Sequence, residues 1–334
     1  MFKKASAVFA LVIAASNAQA ISIDLGAATG YNLFIKENFS QPGADSQGKI
    51  AIGGNANIGQ YDVGVNYEPG TWRDGKQFWS EPGKYSDVLV VGGNLTTASY
   101  SWGNIKGNLV LGGGLTTGSS KNSVLGTTTK GNPIDFNSAF NQLTEVSKSL
   151  AVRGNTGGLE FKYNNWLLLN GNAESDIYVA NITGQMLANA TDLTALGLDK
   201  NDTLIINVSG KNINFDSVSY TNREGLTPLA VSPAQIIYNF YEAENLSFSG
   251  GLKGNILAPN ANFNFITGDL SGQVIAKSWT GNWGAQANLW DGFFVPPVTV
   301  EPPKPPVATV PEPSTLLLFV AGLLALLLIR RKRA

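Results

Sequence analysis

Three stretches of the chain repeat one pattern of apolar and polar positions: a short run of β-branched or leucine residues, a glycine pair, an Asn or Gly, then another apolar residue. They are Lys49-Ile50-Ala51-Ile52-Gly53-Gly54-Asn55, Asp87 to Thr97 and Asn108 to Thr117. Gly54 and Gly93 lie 39 residues apart, and Gly93 and Gly113 lie 20 apart. A spacing near 20 and its double is expected of a β-solenoid, whose coils bury their inner edges only by stacking on one another. The glycine pairs are expected to supply positive φ at the corners. The segment between Tyr61 and Tyr85 breaks the pattern. Its Pro69, Trp72, Phe78, Trp79 and Pro82 read either as a plug over an open edge or as a ligand platform.

Downstream the period changes from two to helical. Phe136, Phe140, Leu143, Val146 and Leu150 fall on one face, which predicts a single amphipathic helix docked on the flank of the solenoid. Asn132 is placed to cap it, Pro133 suits its first turn, and Gly154 ends it. Strands resume at Trp166–Leu169, Asp176–Ala180, Thr203–Val208 and Ile236–Phe240. Gly254-Asn255-Ile256-Leu257-Ala258-Pro259 and Gly272-Gln273-Val274-Ile275-Ala276-Lys277 then return to the coil pattern, and the domain closes at Trp290–Phe294. The predicted fold is mainly β: a β-solenoid with one flanking α-helix, and a separate hydrophobic helix at the C-terminus.

Both termini carry a hydrophobic run of another kind. Lys3 and Lys4 precede apolar Ala5–Ala15, and Ala18-Gln19-Ala20 is a small-x-small cleavage site, so residues 1–20 read as a secretory signal peptide with Ala18 and Ala20 marking the cut. At the other end, eight of the chain's 15 prolines lie between Pro296 and Pro313, which predicts an extended spacer over 295–310. The apolar stretch 315–329 is followed by Arg330-Arg331-Lys332-Arg333. At about 1.5 Å per residue it is short for a bilayer core of about 30 Å, yet it can span by thinning the membrane and letting the arginines snorkel. The basic end should stay cytoplasmic, which puts the rest of the chain outside. The layout is therefore 1–20 signal peptide, 21–294 solenoid domain, 295–310 linker and 311–334 C-terminal signal.

Composition narrows the chemistry. Residues 21–310 hold 17 basic and 23 acidic residues, a net charge of −6, which argues against a nucleic-acid partner and against attraction to anionic lipid. The chain has no Cys and no His. Disulfide staples, Ser-His-Asp and Cys-His catalysis, and His-ligated zinc or copper are therefore excluded, and no cofactor or metal site is expected. Gly43–Lys49 and Gly70–Lys76 approach a phosphate-binding loop, but Ile50 and Gln77 stand where its Ser or Thr is needed. Glu242 and Glu244, on one strand face by alternation, and Asp216 are the carboxylates a polysaccharide-active enzyme would use, but no Asp-Asp pair supports them. Asp199, Asp202, Asp216 and Asp269 read as solvated turn residues, with loop calcium as the alternative. Thr96-Thr97 and Thr116-Thr117 follow matching glycines and form a candidate ligand face, although strand preference alone also produces such rows. The Asn94-Leu95-Thr96 and Asn181-Ile182-Thr183 triplets read as chance sequons.

Two resemblances add to this reading. Pro311-Glu312-Pro313, the apolar stretch and the Arg/Lys end resemble, in order, a PEP-CTERM sorting signal of exported bacterial proteins. That resemblance implies an exosortase as partner, cleavage near the Pro-Glu-Pro, and a membrane anchor that is temporary rather than permanent. Residues 25–294 resemble the choice-of-anchor A domain family through Tyr31-Asn32-Leu33-Phe34, Gly48–Gly54, Gly254–Pro259 and Gly272–Ala276. Members end in a Glu-Leu-His-like element, whereas this chain has Asn288-Leu289-Trp290, and no role of that His is carried over. The late strand-Ala-Pro pattern also resembles ice-binding and adhesin β-helices. Together these imply an exported, non-enzymatic surface or matrix protein, adhesive and associated with exopolysaccharide, biofilm or neighbouring cells. The alternatives are a water-ordering or ice-binding solenoid using the Thr rows and a polysaccharide-active enzyme.

Overall fold

The computed structural model describes residues 23–67, 72–73, 76–77, 84–97, 103–118, 124–156, 158–162, 166–170, 176–216, 231–289 and 293–294. The signal peptide, Phe78, Trp79, Pro69 and Pro82 of the insertion, the proline spacer and the 315–329 stretch lie outside them. Among the described residues no helix is long and apolar enough to cross a membrane. Among the described residues the fold is mainly β, with two α-helices, and seventeen strands join into one sheet.

That sheet is built by turns of chain stacked in parallel register. On one wall Leu33 pairs with Ile50, Ile50 with Leu89, Leu89 with Leu109, and Leu109 with Thr128. The chain then reverses through a helix, α1 (Phe136–Ala151), and stacks again from the far end: Val179 on Ile205, Ile205 on Ile237, Tyr238 on Ile256, and Ile256 on Val274. Val274 finally pairs with Leu33, so the last turn lies against the first. The stacking order is thus not the chain order, which the spacing of the glycine motifs does not reveal.

The turns build three walls. The first is covered by α1. Leu33-Phe34-Ile35, Ile50-Ala51-Ile52 and Leu204-Ile205-Ile206 are buried at every position, because one side faces the coil interior and the other lies under helix or connecting chain. Phe34 stacks on Phe136 and Phe140, with ring centroids 5.3 and 5.5 Å apart. The helix begins there and ends over Asn181, five rungs away. Five rungs at about 4.8 Å and sixteen residues at about 1.5 Å both come to about 24 Å, so the helix length matches the wall it covers. Asp135 is its N-cap, accepting from Ser138 N (3.0 Å) and Ser138 Oγ (2.7 Å); these bonds hold the Asp135 carboxyl below its usual range. The cap therefore sits three residues after Asn132, the residue the sequence points to.

The C-terminal end of α1 is held by a ladder of amides from the sheet beneath it. Asn239 Nδ2 donates to Ser147 O and to Asn207 Oδ1, both at 2.8 Å. Asn207 Nδ2 donates to Leu150 O and to Asn181 Oδ1, both at 2.8 Å, and Asn181 Nδ2 donates to Arg153 O at 2.9 Å. The ladder thus adds side-chain donors to carbonyls at and just beyond the helix end, Leu150 O also accepting from Arg153 N (3.2 Å).

The glycine pairs work differently from the sequence expectation. Gly53, Gly92 and Gly112 are not at positive φ. A Cβ on Gly92 would lie 2.5 Å from Gly53 O, and one on Gly112 would lie 2.2 Å from Gly92 O. These glycines let successive corners touch backbone to backbone.

The second wall is open. Its strands Ala56–Val63 and Asn212–Asp216 largely alternate inward apolar and outward polar residues, while Phe39–Ser46 alternates in burial but turns the polar Gln41 and Ser46 inward. Inward, Phe215, Phe248, Phe265, Trp279 and Phe39 form a continuous aromatic stack, each ring centroid 4.8–5.9 Å from the next. The third wall is shorter, pairing Gly268–Ser271 with Ala285–Asn288 and Val63 with Ile105. A second helix, α2 (Gly184–Asn189), which the sequence reading does not contain, packs beside Ile213 and is capped by Thr183. Strands Gly158–Lys162, Trp166–Asn170 and Asp192–Leu196 form a separate small sheet, and Trp72–Arg73 pairs with Lys76–Gln77 in the insertion.

Candidate functional site

The open wall repeats one triplet: Asn (once Ser, once Gly), an apolar residue, then Asn, Ser or Thr. It reads Asn212-Ile213-Asn214, Asn245-Leu246-Ser247, Asn262-Phe263-Asn264, Ser278-Trp279-Thr280, Asn38-Phe39-Ser40, Asn55-Ala56-Asn57, Asn94-Leu95-Thr96 and Gly114-Leu115-Thr116. In seven of the triplets the middle apolar residue is buried and its two polar neighbours face out, as strand alternation requires; at the end rung Leu115 is 45% exposed.

Stacking turns the triplets into two columns. In the first, Asn245 Nδ2 donates to Asn212 Oδ1 (2.8 Å) and Ser278 Oγ to Asn262 Oδ1 (2.9 Å). Backbone N–H groups continue it: Asn55 to Asn38 Oδ1 (3.0 Å), Asn94 to Asn55 Oδ1 (2.8 Å) and Gly114 to Asn94 Oδ1 (2.7 Å). These last three bonds join residues 17, 39 and 20 positions apart. The second column runs Asn214–Ser247–Asn264–Thr280–Ser40–Asn57–Thr96–Thr116, each pair in register. All eight are uncharged. Rungs repeat at about 4.8 Å, and the columns stand about 7 Å apart. Between them lies a shallow hollow of about 580 Å³, bordered by Asn38, Asn55, Asn57, Thr96, Asn262 and Thr280. Chemically the two columns are a lattice of uncharged hydroxyl and amide groups, with Glu37 at the edge of the hollow and Asp216 exposed farther along one strand of the wall.

Thr96 and Thr116 stand on this wall, paired with each other. Thr97 is 3% exposed and faces the interior, with its Oγ1 unpartnered, while Thr117 is exposed at the end rung. Thr128 pairs with Leu109 on the covered wall, outside the column. The signal that marks the rest of the column is the Asn-apolar-Asn/Ser/Thr triplet itself. Asn94-Leu95-Thr96, read from sequence as a chance sequon, is one rung of it.

The acidic residues do not assemble. Glu242 and Glu244 lie in the turn before strand Asn245–Lys253, not on a strand face: Glu242 Oε2 accepts from Gly210 N (2.9 Å) and Glu244 pairs with Lys211 (2.7 Å). Asp202 Oδ2 accepts from Asp199 N within one turn. Among the described residues no group of three carboxylates stands together to hold a metal ion. Gly43-Ala44-Asp45-Ser46 of the first loop-like motif is strand, not a phosphate cradle. Away from the open wall, burial pushes Tyr67 up to about 12, with Tyr31 adding to it; burial also raises Tyr31 and lowers Lys49, whose Nζ lies 5.0 Å from the Tyr67 ring centre.

Residues 24–287 match the family described as Putative Ice-binding-like adhesive domain, and residues 309–333 match the PEP-CTERM protein-sorting motif. The chain is similar to the solved structure of an ice-binding protein from the Antarctic ascomycete Antarctomyces psychrotrophicus, at 12% identity over 79% of this chain and 95% of that one, TM-score 0.36. It is also similar to an ice-binding protein from an Antarctic biological consortium (15% identity, 86% and 94%, TM-score 0.35). A glycosylated ice-binding protein from an Arctic yeast gives 14% identity, 84% and 98%, TM-score 0.36. No curated protein matches the chain. The stacked domain thus places the chain in the ice-binding-like adhesive domain family, and it ends in a PEP-CTERM motif of the kind exosortases recognise during export.

Proposed function

We propose that this is a non-enzymatic adhesive protein of the cell surface or extracellular matrix, whose β-solenoid holds exopolysaccharide or a neighbouring cell through its open wall. The observation that carries the reading is the uncharged eight-rung column on the wall that α1 leaves bare. A single neutral hydrogen bond nets only about 1 kcal/mol, but repeated contacts to a repeating polymer act together. A neutral lattice suits a polyhydroxylated partner. The layout supports delivery to the surface: residues 1–20 direct export, 295–310 hold the domain off the membrane, and 315–329 anchor it, basic end inward, until exosortase cuts near Pro311-Glu312-Pro313. The choice-of-anchor A resemblance fits the same role. Deleting residues 25–294 while keeping both signals should weaken matrix cohesion, and an unchanged matrix would sink the proposal.

A second reading, an ice- or water-ordering surface, draws on the family description and on Thr96 and Thr116. The hollow and the mixed Asn, Ser and Thr rungs favour a flexible polymer over a flat crystal plane. Inhibition of ice recrystallisation by the purified protein, abolished by Thr96→Lys and Thr116→Lys, would establish the ice reading instead.

A further inference from the structure

Beside the polar columns lies one site of a different kind. Trp283 is 62% exposed; a single exposed apolar residue is ordinary on a protein surface, but this one borders a groove. It stands in the turn between strands Val274–Gly281 and Ala285–Asn288, which Gly284 closes at φ +79°. Its six-membered ring occupies the space above Gly43: a Cβ there would lie 2.3 Å from the ring. With Pro42 and Gly59 it borders a groove of about 300 Å³, mostly apolar, whose remaining lining is Ser40, Gln41, Asn57 and Gln60. No charged residue lines it.

The groove is held open from below. Gln41 is fully buried, and its Nε2 donates both to Gly43 O (2.7 Å) and to Asn282 O (2.9 Å), tying the strand to the turn that carries Trp283. Its Oε1 accepts from Trp279 Nε1 (2.8 Å). A ring fixed in this way loses little freedom when a ligand covers it.

We infer that Trp283 and this groove form a subsite for one pyranose ring of a neutral glycan whose hydroxyls are equatorial, as in a β-linked glucan. Such a ring presents axial C–H groups, weakly positive, on its flat side, and an indole presents a negative face; the two stack as aromatic surfaces stack on apolar ones. The ring's edge carries hydroxyls, and Ser40, Asn57 and Gln60 supply neutral groups at the rim. The volume lies at the small end of ligand sites, which run from about 300 to about 1,000 Å³. Ser40 and Asn57 also belong to the second column, so a chain bound there continues along the lattice. The inference rests on the adhesive reading above and names its ligand class.

The test is calorimetric titration of the full chain, in a detergent without sugar groups, with cellohexaose and with an anionic oligo-alginate. The unaltered chain should bind cellohexaose and not oligo-alginate. Trp283→Ala should weaken binding by about tenfold with no change in thermal midpoint, and Trp283→Phe should recover part of it. Equal binding by Trp283→Ala and the unaltered chain overturns the subsite, as does absence of cellohexaose binding or preference for alginate. None of these outcomes touches the adhesive reading itself, which stands or falls on matrix cohesion after deletion of 25–294.

Discussion

The covered and open walls are made by the same turns of chain, yet they obey different rules. Ile50-Ala51-Ile52 on the covered wall leads, four residues on, into Ala56-Asn57-Ile58 on the open one. The first is apolar at every position because α1 and the chain leading into it close over its outer side. The second alternates because no described element covers it. Both walls use asparagine ladders, to different ends. Asn239, Asn207 and Asn181 are turned to the carbonyls that end α1 and hold a helix. Asn38, Asn55 and Asn94 face solvent and satisfy only the next rung. The difference teaches that in this fold a residue's role follows from what lies over its wall, not from its type.

The largest expected effect falls on the covered side. Phe34→Ala removes the ring that meets both Phe136 and Phe140, and should cost about 3–5 kcal/mol in denaturant unfolding. A cost as small as that of an exposed residue would mean that α1 does not seal this wall. Next comes Asn239→Ala, which removes the partner of buried Ser147 Oγ and of Asn207 Oδ1 beneath the helix; about 1–3 kcal/mol is expected, with helical circular dichroism fraying before the β signal. The buried side also predicts a pH response. Tyr67 is raised from 10.0 to about 12, so its protonated form is favoured in the folded state. That stability is complete below about pH 10, the unfolded value, and is lost as pH rises toward about 12. Unfolding midpoints should be flat from pH 8 to about 9.5 and fall above it; Tyr67→Phe should flatten part of the fall. Asn55→Ala on the open wall should cost only about 0.5–1.5 kcal/mol, since its lost partners, Asn94 N and the neighbouring rung, are reached by water.

This contrast also explains what could be read from the chain alone. The covered-wall strands, such as Thr203–Val208 and Ile236–Phe240, stand out as apolar runs, and the stripe from Phe136 to Leu150 reveals α1. The Ile256 and Val274 rungs are legible because their motifs are near copies. The open wall is hidden. Asn38-Phe39-Ser40 and Asn262-Phe263-Asn264 resemble turns by composition, and Asn and Gly are poor strand formers in isolation. Their strand conformation comes from the rung above and below, which is tertiary information. The column passes from Thr280 to Ser40 across the join between the last and first turns, so no sequence period connects them. Thr97 misleads for a simpler reason: adjacent strand residues face opposite ways, so of Thr96-Thr97 only one can reach the surface. Gly53 and Gly92 mislead because close backbone approach and positive φ both demand glycine, and only the stacked structure tells them apart.

The smallest stability change should accompany the largest functional one. Asn57→Lys with Thr96→Lys places two charges on adjacent exposed rungs without touching the core, so the unfolding free energy should change by no more than about 1 kcal/mol, mostly from their mutual repulsion. Cells displaying this variant at the level of the unaltered protein should be compared for matrix cohesion. If the open wall is the contact surface, cohesion falls to that of cells lacking residues 25–294 while stability is kept. Cohesion equal to that of the unaltered protein would contradict that assignment and move the contact surface elsewhere on the domain.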